Sequence, residues 1–113
     1  MKLISWNVNG IRSVHKKGAL VPFLDKVKPD IACFQETKAE EHQSEVDLPE
    51  YEEYWNSSTA RKGYSGTAIF TKPKPVAVLL GLQEEILKKY DMTGDGYGDP
   101  NKEGRVIALE FKD

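Results

Sequence analysis

Apolar and polar positions along this chain fall into short blocks, and two of the blocks end abruptly in polar groups. KLISWNVNG, residues 2–10, passes from apolar residues to Asn7, Asn9 and Gly10. IACFQETK, residues 31–38, passes in the same way to Gln35, Glu36 and Lys38. Both runs are too short for helices and rich in Ile, Val and Phe, so the pattern predicts buried parallel strands. Between them, ALVPFLDKVK (19–28) sets Leu20, Phe23, Leu24 and Val27 at the spacing of one helix face. Pro22 is tolerated only near a helix start, which places that start at Gly18 or Ala19. Pro29-Asp30 closes the helix before Ile31 begins the second strand. Strand, helix and strand make a βαβ unit. In open α/β sheets the working groups gather at the carboxyl ends of the strands, so Asn7 and Glu36 are expected side by side on neighbouring tips.

The rest of the chain reads as smaller elements. Residues 11–18, IRSVHKKG, form a basic link, and the acidic stretch 39–50 is a loop or a short surface helix. YEEYWNSS (51–58) is a half-exposed strand, Arg61-Lys62-Gly63 a turn, and SGTAIFTK (65–72) a further strand that Pro73 and Pro75 break. VAVLL (76–80) is a short strand and LQEEILKKY (82–90) a helix. A Gly/Asp loop over 91–104 leads to RVIALEF (105–111), which is apolar on both alternating sets. That pattern predicts a strand covered on both faces and paired to a neighbour. The fold class is α/β, one sheet-plus-helix layer, with no internal repeat and no low-complexity tract.

Composition changes this picture little. The chain has 113 residues, the length of one domain, and 39% hydrophobic residues, enough for one modest core. Sixteen basic against 18 acidic residues give a net charge of −2, so any nucleic-acid contact must come from local patches. Cys33 is the single cysteine and lies inside the apolar IACF, which favours a buried structural thiol and a reducing cytoplasm. Met1 leads directly into a strand without the regions of a secretory signal. No apolar run approaches the ~20 residues that span a bilayer, so no membrane partner is expected.

Glu36 is the leading candidate for chemistry. A carboxylate at a buried strand tip needs a partner, and a hard divalent cation is one. Mg²⁺ takes one or two carboxylates and fills its shell with water and substrate phosphate. Asn7 offers an amide oxygen or a hydrogen bond beside it. On the residues alone a second reading stays open, in which Glu36 pairs with Lys38 or caps a turn and Asn7 satisfies backbone groups. Asn9, before Gly10, also suits a tight turn. Arg12, His15, Lys16 and Lys17 cluster past the first strand tip, where they either neutralise phosphates or remain a solvated loop. In KGYSG, Gly63 and Gly66 permit close backbone approach, and Tyr64 either wedges against a nucleotide or packs its own hairpin. The run Asp91, Thr93, Asp95, Gly96 and Asp99 imitates the first half of a calcium loop. It then fails, with Gly98 at the eighth position and Lys102 at the twelfth, so it reads as a flexible acidic loop. His15 and His42 have no metal-ligand spacing, and no G-x-S-x-G elbow, P-loop or dinucleotide fingerprint occurs.

Four motifs in order, WNVNG, PDI followed after three residues by QETK, KGYSG and EGRVI, resemble the opening of the exonuclease III and AP endonuclease group of the endonuclease/exonuclease/phosphatase superfamily. The resemblance runs from residue 2 to about residue 111. The Asp-x-Asn and Asp-His motifs of that group's second half are not in the chain. The resemblance implies half of a two-sheet α/β sandwich, with residues 1–113 as the N-terminal half of one nuclease domain. It implies Mg²⁺-dependent hydrolysis of DNA at abasic sites, with Mn²⁺ as an alternative ion and 3′-to-5′ exonuclease activity open. Glu36 then corresponds to a metal ligand and Asn7 to an active-site residue at the metal. Asn9, Arg12, Ser13, Lys16, Lys17, Lys38, Gly63 and Tyr64 correspond to contacts with DNA. The expected partners are DNA with abasic sites and the remaining half of the fold, without which 1–113 is expected to be inactive. Two other classes stay open: a phosphoinositide or sphingolipid phosphodiesterase of the same superfamily, and a non-catalytic binding or assembly module.

Overall fold

The computed structural model describes residues 1–94, 96 and 98–112. Within them the elements follow one another as β1 (Leu3–Asn7), α1 (Ile11–Lys16), α2 (Leu20–Val27), β2 (Ile31–Gln35), a 3-10 turn (Glu41–Gln43), β3 (Glu52–Asn56), β4 (Thr67–Thr71), β5 (Ala77–Leu80), α3 (Glu84–Lys89) and β6 (Ile107–Glu110). The βαβ unit is present. β1 and β2 pair in parallel with Asn7 opposite Gln35, so both strands end at the same level. β4 then runs antiparallel to β2 and β3 antiparallel to β4, which gives the order β1-β2-β4-β3.

Period-two patterning sends one set of side chains to the core. Trp6, Phe34, Ala68, Phe70 and Trp55 lie on one face of the sheet. Phe34, Ala68, Phe70 and Trp55 join Ile11 of α1 with Leu20 and Leu24 of α2 in one buried cluster, and half-buried Trp6 packs against it. Phe70 stands edge-on to Phe34 with ring centroids 5.0 Å apart, the geometry aromatic quadrupoles favour. Pro22 is the third residue of α2, where its missing N–H costs no intrahelical bond. Lys28 ends α2 in the left-handed conformation at φ 51°, its N–H bonded to the Leu24 carbonyl.

Three expectations need correction. The basic link is a helix: Ile11 is buried, and Val14 N–H donates to the Gly10 carbonyl at 3.2 Å. Two apolar positions in six residues carry too little periodicity to announce it, and packing of Ile11 stabilises what propensity would not. β1 is half-buried rather than buried, because it is the edge strand; Leu3 remains 64% exposed. β6 has a paired neighbour as expected, and the structure identifies it as β5, antiparallel. However, β6 alternates between half-buried and exposed residues instead of being covered on both faces, and every residue of β5 is exposed.

Candidate active site at the strand tips

The chain leaves β2 at Gln35 and makes an unusual exit. Glu36 and Lys38 both adopt positive φ, 56° and 53°, and Asn9 and Ser65 on the flanking segments do the same at 47° and 53°. Such backbone costs about 1–3 kcal/mol per residue and persists only where surroundings enforce it. The enforcement is a two-sided clamp. On the β1 side, Gly10 N–H donates to the Glu36 carbonyl at 2.7 Å and Ile11 N–H to that of Thr37 at 3.0 Å. On the β4 side, Thr37 N–H donates to Gly66 at 3.1 Å and Lys38 N–H to Ser65 at 2.8 Å. Thr37 sits at the centre, fully buried. A Cβ at Gly66 would stand 2.5 Å from the Thr37 hydroxyl, so the close approach requires glycine there. Among the described residues that hydroxyl is a buried polar atom without a partner.

The clamp sets the Glu36 carboxylate into a cavity of about 290 Å³ whose walls include Asn7, Ser65, Thr67 and Arg105. Asn7 and Glu36 therefore share one cavity, as their strand ends predict. The Asn7 side-chain oxygen accepts from Asn9 N–H at 3.2 Å. Glu36 does not pair with Lys38. The Lys38 ammonium donates instead to the Asn9 side-chain oxygen at 2.6 Å, and the Lys38 carbonyl accepts from Arg12 at 3.0 Å. The charge facing Glu36 is Arg105, with Nη1 4.0 Å from Oε1, beyond hydrogen-bond reach.

Arg105 and Glu103 are site residues that the sequence reading missed. Their signal was the EGRVI motif itself, which sets opposite charges on either side of Gly104 before the last strand and to whose residues the sequence reading gave no role. Arg105 Nε donates to Glu103 at 2.7 Å, and its Nη2 donates to the Tyr64 hydroxyl at 2.9 Å. The hydrogen bond to Glu103 pushes the Arg105 guanidinium above its ordinary pKa, so its charge is held firmly. Arg61 lies 4.2 Å from the Tyr64 ring centroid, within cation–π range. Tyr64 thus belongs to the rim, next to exposed Gly63 at φ 68°.

The basic cluster divides. Arg12 turns to the clamp through Lys38, while Arg12, His15 and Lys16 also line a separate cavity of about 440 Å³ with Gln43 and Glu45. Ser13 and Lys17 are exposed on and just beyond α1, and neither lines the Glu36 cavity. In the acidic loop, Asp95 lies outside the described residues. Asp99 accepts from the backbone N–H of Asn101 at 2.9 Å, which makes it a turn residue. The Asn101 side chain in turn bonds both backbone groups of Leu82. Cys33 is half-buried and its thiol pKa is raised by that burial, which suits a structural thiol.

Comparison with known proteins agrees with this architecture. The sequence profile of the Endonuclease/Exonuclease/phosphatase family matches residues 4–108. An exodeoxyribonuclease of Bacillus subtilis is 42% identical over 112 residues, covering 99% of this chain and 39% of that protein. The DNA repair nuclease APEX1 of Danio rerio is 40% identical over 117 residues, covering all of this chain and 33% of its own length. The crystal structure of the Xenopus laevis APE2 catalytic domain superposes with a TM-score of 0.72 at 30% identity, over 95% of this chain and 38% of that one. The chain thus spans between a third and two fifths of the length of these relatives. From the strand-tip motifs, the sheet that carries them and these matches along nearly its whole length, the chain belongs to the endonuclease/exonuclease/phosphatase family, in its exonuclease III and AP endonuclease group.

Proposed function

We propose that this chain carries the first part of the active site of a DNA repair nuclease that hydrolyses the phosphodiester backbone at abasic sites, with 3′-to-5′ exonuclease activity on the same site. The observation that carries the reading is the clamped, left-handed Glu36, whose carboxylate is held in one cavity with Asn7 and Arg105. The donor set suits Mg²⁺, with Mn²⁺ as the alternative: one carboxylate whose counter-ion Arg105 stands 4.0 Å away, outside hydrogen-bond reach, and an amide oxygen with a lone pair to spare. Glu36 and Asn7 would hold the ion, which when bound supplies Lewis-acid stabilisation of charge on the phosphate. Arg105 presents a fixed positive charge to the same cavity and so favours an anionic substrate there. Around the cavity Asn9, Lys38 and Arg12 form one bonded rim and Gly63 with Tyr64 another. Ser13, Lys16 and Lys17, further along α1, give the sequence-independent attraction to the DNA backbone.

Residues 1–113 are proposed as the N-terminal half of the nuclease domain and as inactive alone. Among the described residues Glu36 is the one carboxylate lining its cavity, and none is placed there to activate water. Val78 and Leu80 on one face of the ribbon and Leu79 on the other stay 41%, 58% and 49% exposed, apolar surface suited to burial under the rest of the domain its relatives possess. The test is Glu36→Ala in the protein that carries this chain, assayed on an abasic-site duplex in limiting Mg²⁺. The rate should fall by roughly 10²–10³, as for loss of one preorganised electrostatic group. Cleavage at the parent rate would refute the assignment. Hydrolysis of a phosphoinositide or sphingolipid with none of DNA would move the reading to another branch of the superfamily.

A further inference from the structure

Glu103 opens the EGRVI motif, which by itself gives the residue no role. Its side chain is only 13% exposed, although it sits in a surface loop. One oxygen, Oε1, accepts from Arg105 Nε at 2.7 Å and from the Tyr64 hydroxyl at 3.1 Å. Arg105 Nη2 closes the ring by donating to that hydroxyl at 2.9 Å. Three side chains from two distant segments are thus locked by three hydrogen bonds. The other corner of the guanidinium, Nη1, is left facing Glu36 and the cavity.

The backbone around Glu103 is shaped to keep it there. Gly98 leaves the space that the Glu103 carboxylate occupies, since a Cβ at 98 would collide with Oε2. Gly104 lies against the end of β3, where a Cβ would stand 2.5 Å from the Asn56 carbonyl oxygen. Its own carbonyl accepts from the Thr67 hydroxyl at 3.1 Å. Glu103 and Arg105 are therefore fixed on either side of a residue wedged into the rim.

We propose that Glu103 is a positioning residue for DNA: it aims Tyr64 and Arg105 together at the backbone beside the Glu36 cavity. The inference rests on the DNA-binding reading above and adds a residue of the wrong charge for direct contact. A carboxylate near a polyanion repels it, so a merely solvated Glu103 would weaken binding, and its removal would tighten it. A positioning Glu103 has the opposite sign. Without its acceptor oxygen, Arg105 and Tyr64 lose their common anchor, and two long side chains must be ordered anew on binding.

The experiment compares Glu103→Ala and Glu103→Gln with the parent in the protein that carries this chain. Duplex DNA with an abasic-site analogue is titrated by fluorescence anisotropy at several salt concentrations. Glu103→Ala should bind about tenfold more weakly, the drop expected for removing one well-made charge-assisted hydrogen bond. Glu103→Gln keeps an acceptor oxygen and removes the repulsion, so it should bind as the parent does or more tightly. In DNA-free protein, the Arg105 Hε resonance should be protected from solvent exchange in the parent and in Glu103→Gln, and unprotected in Glu103→Ala. Binding by the parent with Glu103→Ala equal or tighter overturns the proposal and leaves the nuclease reading intact, as does an unprotected Hε in the parent. Equal weakening in both variants also overturns it. A parent without affinity for DNA overturns the nuclease reading together with this inference.

Discussion

Replacing Gly104 by alanine tests how the rim is held, and a second glycine supplies the control. Gly104 has φ 62° and Gly18 has φ 76°, so alanine at either position incurs the left-handed backbone penalty of about 1–2 kcal/mol. Both substitutions also stiffen the unfolded chain by a similar amount, which cancels in the comparison. Only their surroundings differ. Nothing lies within 4 Å of a Cβ at Gly18, whereas at Gly104 it would meet the Asn56 carbonyl oxygen at 2.5 Å and the Ser57 carbonyl carbon at 2.6 Å. These are backbone atoms at the end of β3 and cannot rotate away. Either β3 or the 103–105 segment must move, and movement stretches the Thr67 bond to Gly104 and the Asn56 bond to Val106, now 3.1 and 2.7 Å. Each such bond contributes about 0.5–1.5 kcal/mol. Gly18→Ala should therefore cost about 1–2 kcal/mol and Gly104→Ala about 2–5 kcal/mol, against a total stability of about 5–15 kcal/mol for a typical domain. Urea unfolding followed by tryptophan fluorescence reads the difference, since Trp55 is in the core and Trp6 packs against it. If Gly104→Ala came within about 0.5 kcal/mol of Gly18→Ala, the claim that the rim is wedged by close backbone approach would be wrong.

Two further outcomes are expected. Lys16→Ala combined with Lys17→Ala should weaken DNA binding evenly across sequences and lower the slope of log K against log salt by about two, one unit for each phosphate no longer neutralised; an unchanged slope would mean these exposed lysines are merely solvated. Asp30 accepts the Lys2 backbone N–H at 2.6 Å, chiefly for which reason its pKa lies below the ordinary 3.8. A lowered folded pKa gives stability that is complete above the unfolded value and disappears as pH falls through the folded one. Asp30→Asn should thus be less stable than the parent near neutrality and should converge with it in acid; parallel urea midpoints from about pH 6 to about pH 2 would refute the linkage.

Local chemistry decided the parts of this molecule that repeat at short range. Apolar runs bounded by polar groups specified β1, β2 and β4, and helical spacing specified α2, because strand and helix periodicities are properties of neighbours in sequence. The right order of strand, helix and strand then brought Asn7 and Glu36 to one end of the sheet. Sequence also picked out Tyr64, through the glycines around it. It could not assign partners, since pairing is a matter of which tips meet. That Lys38 bonds Asn9 and leaves Glu36 to Arg105 follows from the left-handed exit at 36–38, enforced by hydrogen bonds with the segments that follow β1 and precede β4. The same holds for α1, too short to stand on propensity and held by burial of Ile11. It holds most for Glu103, whose role depends on a tyrosine 39 residues away in sequence. A carboxylate looks solvated in any local window, and only the folded chain closes it into a ring with Tyr64 and Arg105.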